Sequence, residues 1–128
     1  MNYSIIVPVF KEEKNIARMI SKVHSELHKK KIKYELIFVD DDSLDNSKKI
    51  FEKNKNEKTR FFIRKEKPRD LSKSVIFGSK KSKFNNLIVM DGDLQHNPKD
   101  IYKLIRKFEL TNCDIVIGSR KLINYKKA

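Results

Sequence analysis

The feature that most constrains this chain is an alternation of short apolar runs with segments whose apolar residues recur at helical spacing. Tyr3 to Phe10 is rich in β-branched residues, and from Glu12 onward Ile16, Met19, Ile20, Val23 and Leu27 share one helical face. The unit then repeats. Tyr34 to Val39 reads as a buried strand, Ser43 or Asp45 can cap a helix carrying Ile50 and Phe51, and Arg60 to Arg64 reads as a third strand. Leu71, Val75 and Ile76 predict a third helix, and Asn86 to Met90 a fourth strand. Asn97 caps a helix that opens at Pro98 and buries Ile101, Leu104, Ile105 and Phe108; Asp114 to Gly118 supplies a fifth strand. Strands apolar on both faces, alternating with amphipathic helices, build a doubly wound, mostly parallel α/β sheet with helices on both faces.

A chain of 128 residues builds one domain around one core. With three Gly and three Pro the loops are short, and no Ser/Gly-rich stretch marks a linker. The formal charge of +13 points first to an anionic partner. Yet Lys is spread over nearly every helix and turn and Arg is scarce, which argues for solvated faces and makes nucleic acid an unlikely partner. Cys113, beside Ile115-Val116-Ile117, has no internal disulfide partner and reads as a buried, inert thiol of a reducing compartment. No basic leader precedes an apolar core, and no run nears the roughly 18 apolar residues of a membrane span. A cytoplasmic location is expected.

In such sheets ligands bind at the carboxyl ends of the strands, where the following helices point their N-termini inward. The unusual polar residues fall on that edge: Glu12 after strand one, Asp40-Asp41-Asp42 after strand two, Arg64 ending strand three, Asp91 and Asp93 after strand four, and Ser119-Arg120 after strand five. Three consecutive carboxylates repel one another unless a cation or hydrogen-bond donors occupy their loop. Asp91-Gly92-Asp93 is sharper. Two carboxylates flanking a Gly at the end of an apolar strand offer hard oxygen ligands to Mg²⁺ or Mn²⁺ and leave positions open for phosphate oxygens. Gln95 can orient a metal ligand or serve as a helix-entry residue. Arg64 and Arg120 can clamp phosphates or pair with carboxylates of the same edge. His96 reads more readily as a loop residue than as a base, and His24 and His28, on a Lys-rich helix, as solvated.

The stretches Val7-Pro8-Val9-Phe10-Lys11-Glu12-Glu13, Val39-Asp40-Asp41-Asp42-Ser43-Leu44-Asp45, Leu71 to Gly78, Val89 to Pro98 and Ile117-Gly118-Ser119-Arg120 resemble family 2 glycosyltransferases of the GT-A fold. They are most similar to the branch that transfers mannose or glucose to polyprenyl (dolichyl) phosphate. The resemblance implies that Pro8, Phe10, Glu12 and Asp40 hold the base and ribose of a GDP- or UDP-sugar, with Asp42, Arg64 and Asp91 in the same donor-binding set. It implies that Asp91 and Asp93, assisted by Gln95, hold the metal on the diphosphate. Asp93 and Arg120 are then the residues nearest catalysis, with Arg120 directed to the acceptor phosphate. The implied reaction is a single in-line displacement that inverts the anomeric carbon. The implied acceptor is a polyprenyl phosphate or a glycan, reached through peripheral contact with the cytoplasmic face of a membrane.

Three departures stand out. Lys11 occupies a position usually held by Asn, Phe10 one often held by Tyr, and Asp42 one usually held by Gly or Asn. The chain also stops just after Ser119-Arg120, where the family continues through an acceptor-binding segment, so residues 1–128 correspond to the N-terminal, donor-binding portion. An open sheet edge there favours a second chain or self-association, and a non-catalytic nucleotide-sugar-binding module is the principal rival. Response regulators place an acidic pair after the first strand and the acceptor Asp after the third, and aspartate-based phosphatases place Asp-x-Asp after the first strand with a nearby Thr or Ser, whereas here the clusters follow the second and fourth strands and no such Thr or Ser is present.

Overall fold

The computed structural model describes residues 1–94 and 97–117. Four strands, β1 (Asn2–Val9), β2 (Lys33–Asp40), β3 (Thr59–Ile63) and β4 (Asn86–Val89), alternate with α1 (Ile16–Lys29), α2 (Ser47–Asn54), α3 (Leu71–Lys81) and α4 (Lys99–Leu110). All pairings are parallel and the strand order is β3-β2-β1-β4. This is the doubly wound, parallel arrangement with helices on both faces that the strand–helix alternation predicts. The chain winds outward from β1 to β3, then crosses back through α3 to place β4 on the other side of β1. The order therefore reverses between β1 and β4, the point at whose carboxyl ends doubly wound sheets take their ligands.

Alternation along the central strands explains the two layers. Ile5, Val7 and Val9 of β1 and Leu36 and Phe38 of β2 point to one face, where they pack with Ile16, Met19, Val23 and Leu27 of α1, Phe51 of α2, and Ile101 and Ile105 of α4. Ile6, Ile37 and Val39 point to the other face and meet Phe62 and Phe77. Of the apolar residues that predict α3, Leu71 and Ile76 are exposed and Val75 is half-buried, whereas Ser74 and Gly78 are buried. A Cβ on Gly78 would lie 2.7 Å from Ile6 Cγ2, so the small residue lets the helix backbone settle onto the sheet. Asp70 caps α3 by accepting the Lys73 N–H at 2.8 Å. At the opposite edge of the sheet, Glu35 is buried. Burial alone would raise its pKa, but the Lys83 N–H, the Ser4 hydroxyl and Arg60 outweigh that and hold it below the usual carboxylate range.

Two expectations are corrected. Residues 114–117 do not form a strand: they join no ladder of the four-stranded sheet, and Ile115 and Ile117 are exposed. A β-branched run has the propensity, but a strand needs a neighbour to satisfy its backbone. Among the described residues β4 is accordingly the outer strand, and Leu87 and Val89, on the α3 side, are exposed. Cys113 is only half-buried and lies 2.9 Å from the Thr111 hydroxyl. No helix among the described residues is long and apolar enough to cross a membrane.

Candidate functional site

The carboxyl edge of the sheet gathers the loops after β1, β2 and β4. Asp40, the last residue of β2, is buried, and its two oxygens accept from the Ser43 N–H at 3.0 Å and from the Ser43 hydroxyl. Ser43 Oγ in turn accepts the Lys11 N–H at 2.7 Å, which ties the β1 and β2 loops together. Asp41 turns inward: one oxygen accepts from Arg64 Nη1 at 2.7 Å and the other from the Asp70 N–H at 2.7 Å. Asp42 pairs with Lys67 at 3.4 Å. Internal donors thus offset the repulsion expected among three consecutive carboxylates. Arg64 is 3% exposed and also meets the Pro68 carbonyl at 3.3 Å, so its guanidinium lies beneath the acidic loop rather than on its surface.

Arg69 escapes a sequence reading. Its Nε donates to the Asp41 carbonyl and its Nη2 to the Asp42 carbonyl, each at 2.8 Å, and its guanidinium carbon lies 4.8 Å from the centre of the Phe10 ring. One side chain therefore fastens the acidic turn to the aromatic residue that follows β1. The only signal was an arginine immediately before the helix cap Asp70. Phe10 is 41% exposed, presenting a ring to solvent beside this turn. Of the described non-glycine residues with positive φ, Lys11, Asp42, Leu44 and Leu94 all lie on this edge, with φ of 55° to 62°. Such clustering of unfavourable backbone is common at ligand sites.

Between the β1 and β2 loops lies an open cleft of about 620 Å³ lined by Glu12, Asn15, Ser43 and Asp45 among others. Glu12 accepts from Asn15 Nδ2 at 2.7 Å at its rim. Across the β1 end, Asp91-Gly92-Asp93 follows β4 at the point of strand-order reversal. Gly92 is buried there, and a Cβ on it would lie 2.6 Å from Val9 Cγ1, so glycine lets the loop press onto the end of β1. Asp91 and Asp93 are exposed residues flanking it. Among the described residues no group of three or more His, Cys, Asp and Glu could hold a metal ion. Two hard carboxylates do fit Mg²⁺ or Mn²⁺ when substrate phosphates complete the coordination. Gln95, His96 and Arg120 lie outside the described residues.

Burial, partly offset by the Ser43 hydrogen bonds and reinforced by Asp45 and Asp42, raises the Asp40 pKa above the usual carboxylate value. The native state therefore holds this proton more tightly than the unfolded chain, and Asp40 costs stability as pH rises through its native pKa. Replacing Asp40 with Asn is expected to stabilise the protein near about pH 7, with the advantage shrinking toward about pH 3. Urea unfolding of both chains across that range measures it; a variant less stable at neutral than at acidic pH, relative to wild type, would contradict it.

The Glycosyl transferase family 2 model matches residues 4–128. An uncharacterized protein of Methanocaldococcus jannaschii is 38% identical over 122 residues, covering 91% of this chain and 51% of that protein. The dolichol-phosphate mannosyltransferase of Pyrococcus furiosus is 37% identical over 123 residues, covering 94% of this chain and 33% of the enzyme. The chain thus spans about half or a third of the length of these relatives. Among solved structures, Staphylococcus aureus TarS 1-349 in complex with UDP superposes with a TM-score of 0.61 at 23% identity, over 85% of this chain and 33% of TarS; that likeness concerns the fold. With the doubly wound sheet and the aspartate loop at its reversal point, the match over nearly the whole length shows that the chain belongs to glycosyl transferase family 2.

Proposed function

We propose that this chain is the donor-binding portion of an inverting glycosyltransferase that moves a sugar from a GDP- or UDP-sugar to a polyprenyl phosphate. The observation that carries this reading is the position of Asp91-Gly92-Asp93 at the reversal between β1 and β4, beside the acidic turn after β2. Relatives named dolichol-phosphate mannosyltransferase and dodecaprenyl-phosphate galacturonate synthase support the acceptor class, and TarS structures with UDP and UDP-GlcNAc support the donor class.

In this reading Phe10 offers its exposed ring to the base, with Pro8 and Glu12 shaping the same end of the site. Asp40, held by Ser43, and Asp42 define the acidic turn toward the base and ribose, and Arg64 keeps that turn in place from below. Asp91 and Asp93, with Gln95, hold Mg²⁺ or Mn²⁺; when bound, the ion neutralises charge on the departing diphosphate. The acceptor phosphate oxygen, oriented by Arg120, forms a bond to the anomeric carbon on the face opposite the breaking bond to the diphosphate. An anionic oxygen needs little help from a general base. Peripheral contact with the cytoplasmic face of a membrane follows from a lipid acceptor.

Exposed Leu87 and Val89 on the outer strand, with Ile115 and Ile117, favour a second reading alongside it: donor binding here, with turnover requiring a further segment, a second copy or another chain to cover that edge. Asp91→Asn and Asp93→Asn are expected to abolish metal-dependent donor binding while leaving the fold intact, as circular dichroism would show, both residues being exposed. Binding that persists in both variants removes the metal assignment.

A further inference from the structure

Phe10 is 41% exposed and belongs to neither core cluster, yet its ring has an anchored neighbour. The Arg69 guanidinium carbon lies 4.8 Å from the ring centre, and the same guanidinium donates from Nε to the Asp41 carbonyl and from Nη2 to the Asp42 carbonyl, each at 2.8 Å. Two bonds from one planar fork set the plane of the cation as well as its distance. Lys11 Nζ also lies 5.3 Å from the ring, but on a flexible stem. The acidic turn has other ties. Asp41 is held by Arg64 and by the Asp70 N–H, each at 2.7 Å, and Asp40 by the Ser43 N–H at 3.0 Å. Arg69 is exposed, and what it adds is a link from that turn to a ring outside the core. Ordering an exposed aromatic side chain costs conformational entropy with little packing gained, a cost that is offset when a ligand meets the ring already in place.

We propose that Arg69 is a positioning residue for the nucleotide: it presets the Phe10 ring relative to the acidic turn, so that base and ribose meet one rigid unit. The inference rests on the donor reading above and adds a residue that acts through Phe10 rather than by touching the donor. Its effect is confined to the nucleoside end, because Asp91 and Asp93, assigned to metal and diphosphate, follow β4, on the other side of β1 from β2 and its turn. Truncating Arg69 therefore weakens a nucleoside diphosphate and spares inorganic pyrophosphate. A role through charge alone predicts otherwise, since the loss of a cation from this edge weakens every anionic ligand.

The chain has no tryptophan, so Phe10→Trp places a single fluorescent reporter at the ring itself. In that background, and with no nucleotide present, Arg69→Ala is expected to raise acrylamide quenching of the indole and lower its anisotropy. With Phe10 intact, Arg69→Ala is expected to weaken Mn²⁺-dependent binding of GDP or UDP by about tenfold and to leave binding of Mn²⁺-pyrophosphate unchanged. Combined with Phe10→Ala it should lose little beyond Phe10→Ala alone, as coupled residues do. Arg69→Lys keeps the charge without the fork and should behave as Arg69→Ala. Circular dichroism should show these variants folded, both positions being exposed. An indole that Arg69→Ala leaves unchanged, equal losses for nucleotide and pyrophosphate, additive losses with Phe10→Ala, or full binding by Arg69→Lys would each overturn the positioning role. Failure of both nucleotides to bind the unaltered chain, while Arg69→Ala still frees the indole, would overturn the donor reading itself and with it any role of Arg69 toward a nucleotide.

Discussion

Replacing Arg64 with Ala is expected to lower the free energy of unfolding by about 3–5 kcal/mol, because it breaks a buried ion pair and strands one partner. Arg64 and Asp41 have side chains 3% and 8% exposed and meet at 2.7 Å, so water reaches neither readily. Asp41 would keep the Asp70 N–H but lose the buried cation that pairs with it. A loss of that size is a large part of the total for a small domain, about 5–15 kcal/mol. Denaturant titration with an unchanged m value measures it. Changing both partners together, Arg64→Met with Asp41→Leu, should recover much of the loss if the damage comes from the unpaired charge. A loss below about 1 kcal/mol in Arg64→Ala would mean that the pair behaves as a surface contact.

The second large effect is expected at Phe38, where substitution by Ala should cost about 3–5 kcal/mol. Phe38 is fully buried on β2, and its ring centre lies 6.0 Å from that of Phe51 and 6.3 Å from that of Phe61. Those two rings are themselves 5.2 Å apart, so the cluster joins β2, α2 and β3. Truncation leaves a void that helix and strand cannot both close. Phe10→Ala is the contrast: at 41% exposure its loss should change stability by about 0.5 kcal/mol or less, while removing the ring beside Arg69 from the proposed donor site. Equal destabilisation by the two substitutions would contradict the division between core and site.

The strands and helices that position the site were legible because their signals are local: β-branched runs, helical periodicity, and Asn97 at a helix entry. The Asn97 side chain does accept the Lys99 N–H at 3.0 Å. The acidic clusters were legible as a set because an alternating chain sends every strand end to one edge. What stayed hidden depends on partners remote in sequence. Arg64 pairs with a carboxylate of the same edge, one of the two roles its position offers, but that the partner is Asp41, 23 positions away, is not readable; Arg69 meets the Asp42 carbonyl across 27 positions and nothing near it announces the contact. The buried face of α3 was misread for a related reason: Ser74 and Gly78, which lack apolar bulk, are its buried residues because they let the helix approach the sheet closely, and Phe77 supplies the apolar contact beside them. The apolar run Ile115 to Ile117 has strand propensity without a neighbouring strand in the four-stranded sheet. Single histidines on a lysine-rich helix likewise gave no hint that Tyr34, on β2, holds one of them.

The central claim is that the edge between β1 and β4 binds a nucleotide-sugar donor through a divalent ion. Calorimetric titration of the chain with GDP and with UDP, each with and without Mn²⁺, tests it most directly. Binding of one nucleotide that appears only with Mn²⁺ is the predicted result, and it would also select the base. Failure of both nucleotides to bind a folded chain in the presence of Mn²⁺ would contradict the account.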